Sequence, residues 1–167
     1  VTVTTLTTAG GGNIVFDNAG AGGVSFGTVG TSDDGTGVEG ENDITLRSDG
    51  GPLTITTSVT AADLGDIVYT TTTTGSVILT GTSTATGDDV QVTSVGSING
   101  AGLVTASTVN LNAATGIGNT AALELAASTI TADNTTGGLV DIDNALAGAV
   151  TVTTLTTAGG GNIVFDN

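Results

Sequence analysis

Apolar residues along this chain alternate with threonine and other small polar residues in short runs, and glycine, asparagine or aspartate breaks each run. Val1, Val3 and Leu6 stand among threonines, Gly10, Gly11 and Gly12 interrupt them, and Ile14, Val15 and Phe16 resume the pattern before Asp17 and Asn18. A period of two marks half-buried strands and the breaks mark corners. The pattern predicts strand, corner, strand, corner, with no connection long enough for a crossover helix. The stretch AALELAA at 121–127 has helical propensity in isolation, but it falls within the alternating series and is read as strand.

The segment VTVTTLTTAGGGNIVFDN, residues 1–18, returns unchanged as residues 150–167. The chain therefore reads as one 149-residue tandem unit (1–149) and the start of the next, identical one (150–167). Two series of strand starts run through the unit. One follows Val1, Val24, Leu53, Val77, Leu103, Leu123 and Val150, and the other Ile14, Ile44, Ile67, Val90, Val109, Leu139 and Ile163. Each series has six intervals of about 25 residues. A segment that short cannot bury its apolar stripe alone and must lie on a neighbour. The expected fold is all-β, a parallel β-helix (β-solenoid) of about six coils per 149-residue repeat, with an antiparallel β-sandwich as the structural alternative. Six coils would advance the axis by roughly 29 Å.

Composition supports a narrow core. The chain is 38% hydrophobic but only 2% aromatic, with 28 glycines, one proline and no Cys, Met, Trp or His. Small β-branched residues suit positions that stack over one another, whereas a sandwich core usually needs larger fillers. Sixteen acidic residues stand against Arg47 alone, a net charge of −15. Phosphate binding needs several Lys or Arg, so a nucleic-acid partner is excluded, as is attraction to an anionic membrane. No segment holds eighteen uninterrupted apolar residues, which argues against membrane insertion. The opening residues carry neither an initiator Met nor a basic region, so any export signal is expected to lie outside this stretch.

Catalysis has little to work with, since His, Cys and Lys are all missing. Paired carboxylates exist at Asp88 and Asp89 and at Asp141 and Asp143, yet Tyr69 and Arg47 are too few to hold a sugar beside them. The chain is expected not to be an enzyme. The one candidate for ligand chemistry is the long corner at 31–43, where Asp33, Asp34, Glu39, Glu41 and Asp43 fall among glycines. Calcium takes six to eight oxygens on a flexible loop, so a calcium loop is one reading and a solvated acidic corner the other. The spacing is not that of an EF-hand. No other cofactor is implied. Asn134, Thr135 and Thr136 form a glycosylation sequon, and alternation with Val109 and Leu111 places Asn110 and Asn112 on the outer face.

Segments such as STVNLNAATGIG at 107–118, LAASTITADN at 125–134 and GLVDI at 138–142 resemble the repeats of large bacterial exoproteins of the filamentous-haemagglutinin and autotransporter-adhesin type. The resemblance covers most of the chain and is one of style, degenerate repeats without a fixed motif. It implies a right-handed parallel β-helix, export to the cell surface and a part in adhesion or biofilm. The perfectly kept 149-residue unit departs from that style and points to length as the useful property. The reading favoured by the sequence is an extracellular, non-enzymatic structural fibre whose partner is itself, as end-to-end repeats or as a homopolymer, because no stretch reads as a cap. The stalk of an adhesin and an ice-binding threonine surface are the alternatives. The latter would use Thr2/Thr4, Thr54/Thr56, Thr129/Thr131 and Thr151/Thr153.

Overall fold

A computed structural model describes all 167 residues, with fourteen strands and no helix. The strands stack into three parallel ladders around one core. The first ladder takes the starts of β1 (Thr2–Thr7), β3 (Val24–Gly30) and β5 (Leu53–Ala61). It continues through β7 (Val77–Leu79), β9 (Ile98–Asn99), Ile117, β12 (Val140–Asn144) and β14 (Ile163–Asp166). The second ladder takes the ends of β1, β3 and β5, then the first halves of β8 (Thr82–Ser94), β10 (Val104–Ala113) and β11 (Leu123–Asn134), and the end of β12. The third runs through β2 (Ile14–Asn18), β4 (Ile44–Gly50) and β6 (Ile67–Thr74), the second halves of β8, β10 and β11, and β13 (Thr151–Thr157). Every pairing is parallel, so the chain is a β-solenoid of about seven turns and the sandwich alternative falls.

Parallel register puts like residues over like. On the third ladder Ile14, Ile44, Ile67, Val90, Val109, Ile130 and Val152 form one inward column. Phe16, Leu46, Tyr69, Val92, Leu111, Ala132 and Leu155 form the next. Thirty-one buried apolar residues make a single core, and Tyr69 and Phe26 are its largest fully buried members. The outward column between the two inward ones is polar or mixed, with Thr45, Gln91 and Asn110 among its members. Asn110 and Asn112 are exposed as the alternation requires, and residues 121–127 contain the start of β11 and no helical turn.

The corner before the first ladder is built from glycine because successive coils touch there through their backbones. A side chain on Gly51 would strike Gly23, one on Gly75 would strike Gly51, and one on Gly138 would strike Thr115. Gly75 also has φ of 107°, a conformation that glycine adopts at little cost.

The coils do not divide the repeat evenly. On the third ladder six steps carry the chain from Ile14 to Val152, 138 residues, and on the first ladder six steps carry it from Val24 to Ile163, 139 residues. The sequence repeats only after 149. Each unit is thus six coils and a remainder of ten or eleven residues. Ile14 consequently lies on the third ladder while its copy Ile163 lies on the first. The two series of strand starts read from the sequence each change ladder. Leu103 and Leu123 lie at or beside the second ladder, where Ile98 and Ile117 occupy the first. Leu139 precedes a first-ladder strand, where Ile130 occupies the third. The physical reason is that every coil has three ladders of similar composition, so the first apolar residue after a glycine does not identify which one it opens.

Candidate functional site

Two regions hold unusual chemistry: an acidic shelf at the corner before the third ladder, and the ladder ends. The shelf begins with a stack of short polar residues, each immediately preceding an inward residue of the third ladder. Asn13 Oδ1 accepts from the Asp43 amide at 2.9 Å, Asp43 Oδ1 from the Asp66 amide at 3.0 Å, and Asp66 Oδ1 from the Asp89 amide at 3.2 Å. Side-chain oxygens thereby extend the ladder's hydrogen bonding past its edge. The cost is that carboxylates pile up one coil apart.

Asp88, next to Asp89, lies with Asp66 and Glu39, their nearest carboxylate oxygens all within 4.8 Å of one another. Desolvation, followed by the negative charge of Asp66, pushes the Asp88 carboxyl up from 3.8 to about 6. One of its oxygens, Oδ2, is buried without a hydrogen-bond partner. The three carboxylates lie close enough for their negative charges to repel one another. They supply three of the six to eight oxygens that calcium takes.

The five carboxylates of the 31–43 corner do not converge. Asp33 accepts from the Gly35 amide at 2.5 Å in a local turn. Asp34 and Glu41 are joined through the Thr36 hydroxyl, at 2.6 and 3.1 Å, and the Thr36 bonds hold the Asp34 carboxyl below its ordinary range. Asp43 belongs to the stacked shelf, and only Glu39 reaches the trio with Asp66 and Asp88. Asp66 carries no sequence signal of its own and Asp88 shows only as half of the Asp88 and Asp89 pair; both are brought to Glu39 by stacking of coils more than twenty residues apart. Asn134, the sequon asparagine, is fully buried and donates to the Gly138 carbonyl at 3.1 Å and the Thr157 hydroxyl at 3.0 Å. It ends a mostly polar buried column, Asn18, Ser48, Thr71 and Ser94 with Ala113 between Ser94 and Asn134, that ties the third ladder to the following corner. Thr71 to Gly75 and Asn18 to Gly22 repeat the same bond across four residues, a signal present in the sequence as Asn or Thr followed by glycine at the fourth place. The threonine pairs fall on different ladders: Thr2 and Thr54 share a column on the first, while Thr129, Thr131 and Thr151 lie on the third.

At the ladder ends the outer edges of β1 and β2 on one side, and of β13 and β14 on the other, pair with no further strand. These edges belong to the two identical segments. Ile14, covered by Ile44, is 4% exposed, and its copy Ile163 is 44% exposed although it sits over Val140 in the same inward orientation. The apolar interior is thus open at that end. Each open edge also presents unsatisfied backbone donors and acceptors in the spacing a parallel strand requires. No family model matches the chain, and no curated protein or solved structure matches it.

Proposed function

We propose that the protein is a structural, non-enzymatic fibre element of the extracellular or cell-surface kind, in which solenoid units stack end to end. One observation carries this reading: the same eighteen residues are seated in parallel register at both ends of the solenoid, below β3 and β4 as β1 and β2, and above β11 and β12 as β13 and β14. The sequence exposed at the upper end is thus one that packs under β3 and β4 at the lower end. The charge of −15 fits such a role by keeping neighbouring fibres apart. Adhesin stalk is the second reading, favoured by the style of the repeats, and differs in needing a tip domain that binds a ligand.

Electron microscopy of the purified chain at rising concentration tests the fibre reading. Unbranched filaments one solenoid wide are expected, with cross-strand reflections near 4.8 Å along the axis. A population that remains single, compact particles would overturn it.

A further inference from the structure

We infer that the outer face of the second ladder binds ice, a function separate from the fibre reading. Parallel register gathers hydroxyls there into two straight columns. Thr5, Thr28, Ser58 and Thr82 form one. Thr7, Thr60, Thr84 and Thr105 form the other, with Gly30 as its single gap. The residues between the columns, from Leu6 and Val29 to Val104, point into the core. The register shifts of β3 on β5 and of β8 on β10 fall after Phe26 and after Ala106, at the corners on either side, so the net itself is unbroken. Its spacings are about 4.8 Å from coil to coil and about 6.6 Å along each strand.

Two further properties set this face apart. None of these hydroxyls hydrogen-bonds to another protein atom, whereas Thr31, Thr56, Thr71 and Thr80 elsewhere are each tied to a carbonyl. The face is also uncharged. On a chain of net charge −15, no Asp, Glu or Arg stands in either column from β1 to β10, and the first is Glu124, two coils beyond Thr82. Each threonine offers a donor and an acceptor on a side chain held stiff by its branched Cβ. A ligand for such a face must be uncharged, must repeat in rows, and must both donate and accept. Ice does all three, since its surface oxygens lie in rows of comparable spacing and waters seated on the hydroxyls join its lattice as bridging waters. Crystalline polysaccharide also presents rows of hydroxyls, but sugar rings favour aromatic side chains and this face has none. The pairs conspicuous along the chain, such as Thr129/Thr131, contribute nothing to the net, which arises only through stacking.

The test is partition of the full chain into slowly grown ice, with the shape of a single ice crystal in its solution as a second readout. The unaltered chain is expected to enter the ice and to facet the crystal. Thr60→Tyr and Thr84→Tyr each set a bulky ring on the rows. Both are expected to lose faceting and most of the ice-bound protein while circular dichroism stays unchanged. Thr93→Tyr, on the outer face of the third ladder, is expected to keep both activities. Should a tyrosine disturb the fold, Thr60→Val removes one hydroxyl while keeping shape and β preference, and is expected to weaken partition. Exclusion of the unaltered chain from ice overturns the inference, as does full activity in the Thr60 and Thr84 variants or an equal loss in Thr93→Tyr. Retention on crystalline cellulose or chitin without entry into ice overturns it too and makes the face a polysaccharide surface. Filament formation is read separately by microscopy, so failure here leaves the fibre reading standing.

Discussion

Tyr69 shows how a single polar atom is accommodated in a core this narrow. Its ring fills the inward column between Leu46 and Val92, fully buried, and its hydroxyl lies 2.9 Å from Ser83 Oγ, itself buried at a second-ladder position otherwise held by Val59 and Val104. Burial pushes the phenol well above its ordinary range. Tyr69→Phe is expected to leave the serine hydroxyl unpaired and cost about 1–2 kcal/mol, while adding Ser83→Ala recovers most of it. Urea midpoints at constant slope would measure the cycle. Asp88 supplies the opposite lesson. Its carboxyl titrates near 6 in the folded chain and near 3.8 when unfolded, so the folded state holds the proton more tightly. Stability from this group is therefore present at low pH and is lost as pH rises through the window from about 4 to 6. The melting temperature of Asp88→Asn should lose that decline and exceed that of the unaltered chain above pH 6. Asp34 and Asp49 act in the other direction, since the Thr36 and Thr72 hydrogen bonds lower their carboxyls, and their contribution is lost as pH falls below the ordinary carboxylate range.

At the scale of elements, corners set the coil as firmly as strands do. Gly75→Ala forces a side chain into the Gly51 backbone and strains a φ of 107°, and a loss of about 2 kcal/mol or more is expected in thermal unfolding. Gly22→Ala, with open space around it and no such φ, is expected to change little. The strands were legible in the sequence because Ile44, Val90 and Val109 alternate with polar residues, Ile14 and Ile67 open short apolar runs after a polar corner, and all five truly stack. Ladder identity was not legible, because Leu103 and Leu123 look locally like Leu53 and only the cross-coil register separates them. The same limit applies to the acidic cluster. The run from Asp33 to Asp43 is conspicuous along the chain, yet Glu39 meets Asp66 and Asp88 through space, and no spacing within one coil announces that meeting. Ile98 and Ile117 went unnoticed for a further reason: in the shortest coils the first ladder shrinks to two residues and then one, flanked by Gly100, Gly116 and Gly118 at positive φ.

For the molecule as a whole, stability comes from repetition, each coil covering the last, and the terminal coils are the least protected. Hydrogen exchange should accordingly be slowest at Ile67, Val90 and Val109 and fastest in β14, whose Ile163 and Val164 are 44% and 49% exposed. Equal protection from end to end would contradict a solenoid whose layers are stabilised only by their neighbours. The mismatch between 138 or 139 residues for six coils and 149 for the repeat reaches further. In a continuous array the IVFDN strand of each successive unit moves on by one of three sides, so the pattern comes home only after three units. In the proposed fibre the carboxylates of Asp43, Asp66 and Asp89 would then trace a screw thread around the axis. A second such fibre approaching from any direction would meet the same negative ridge at the same intervals, and no side would be left on which the two could lie flush.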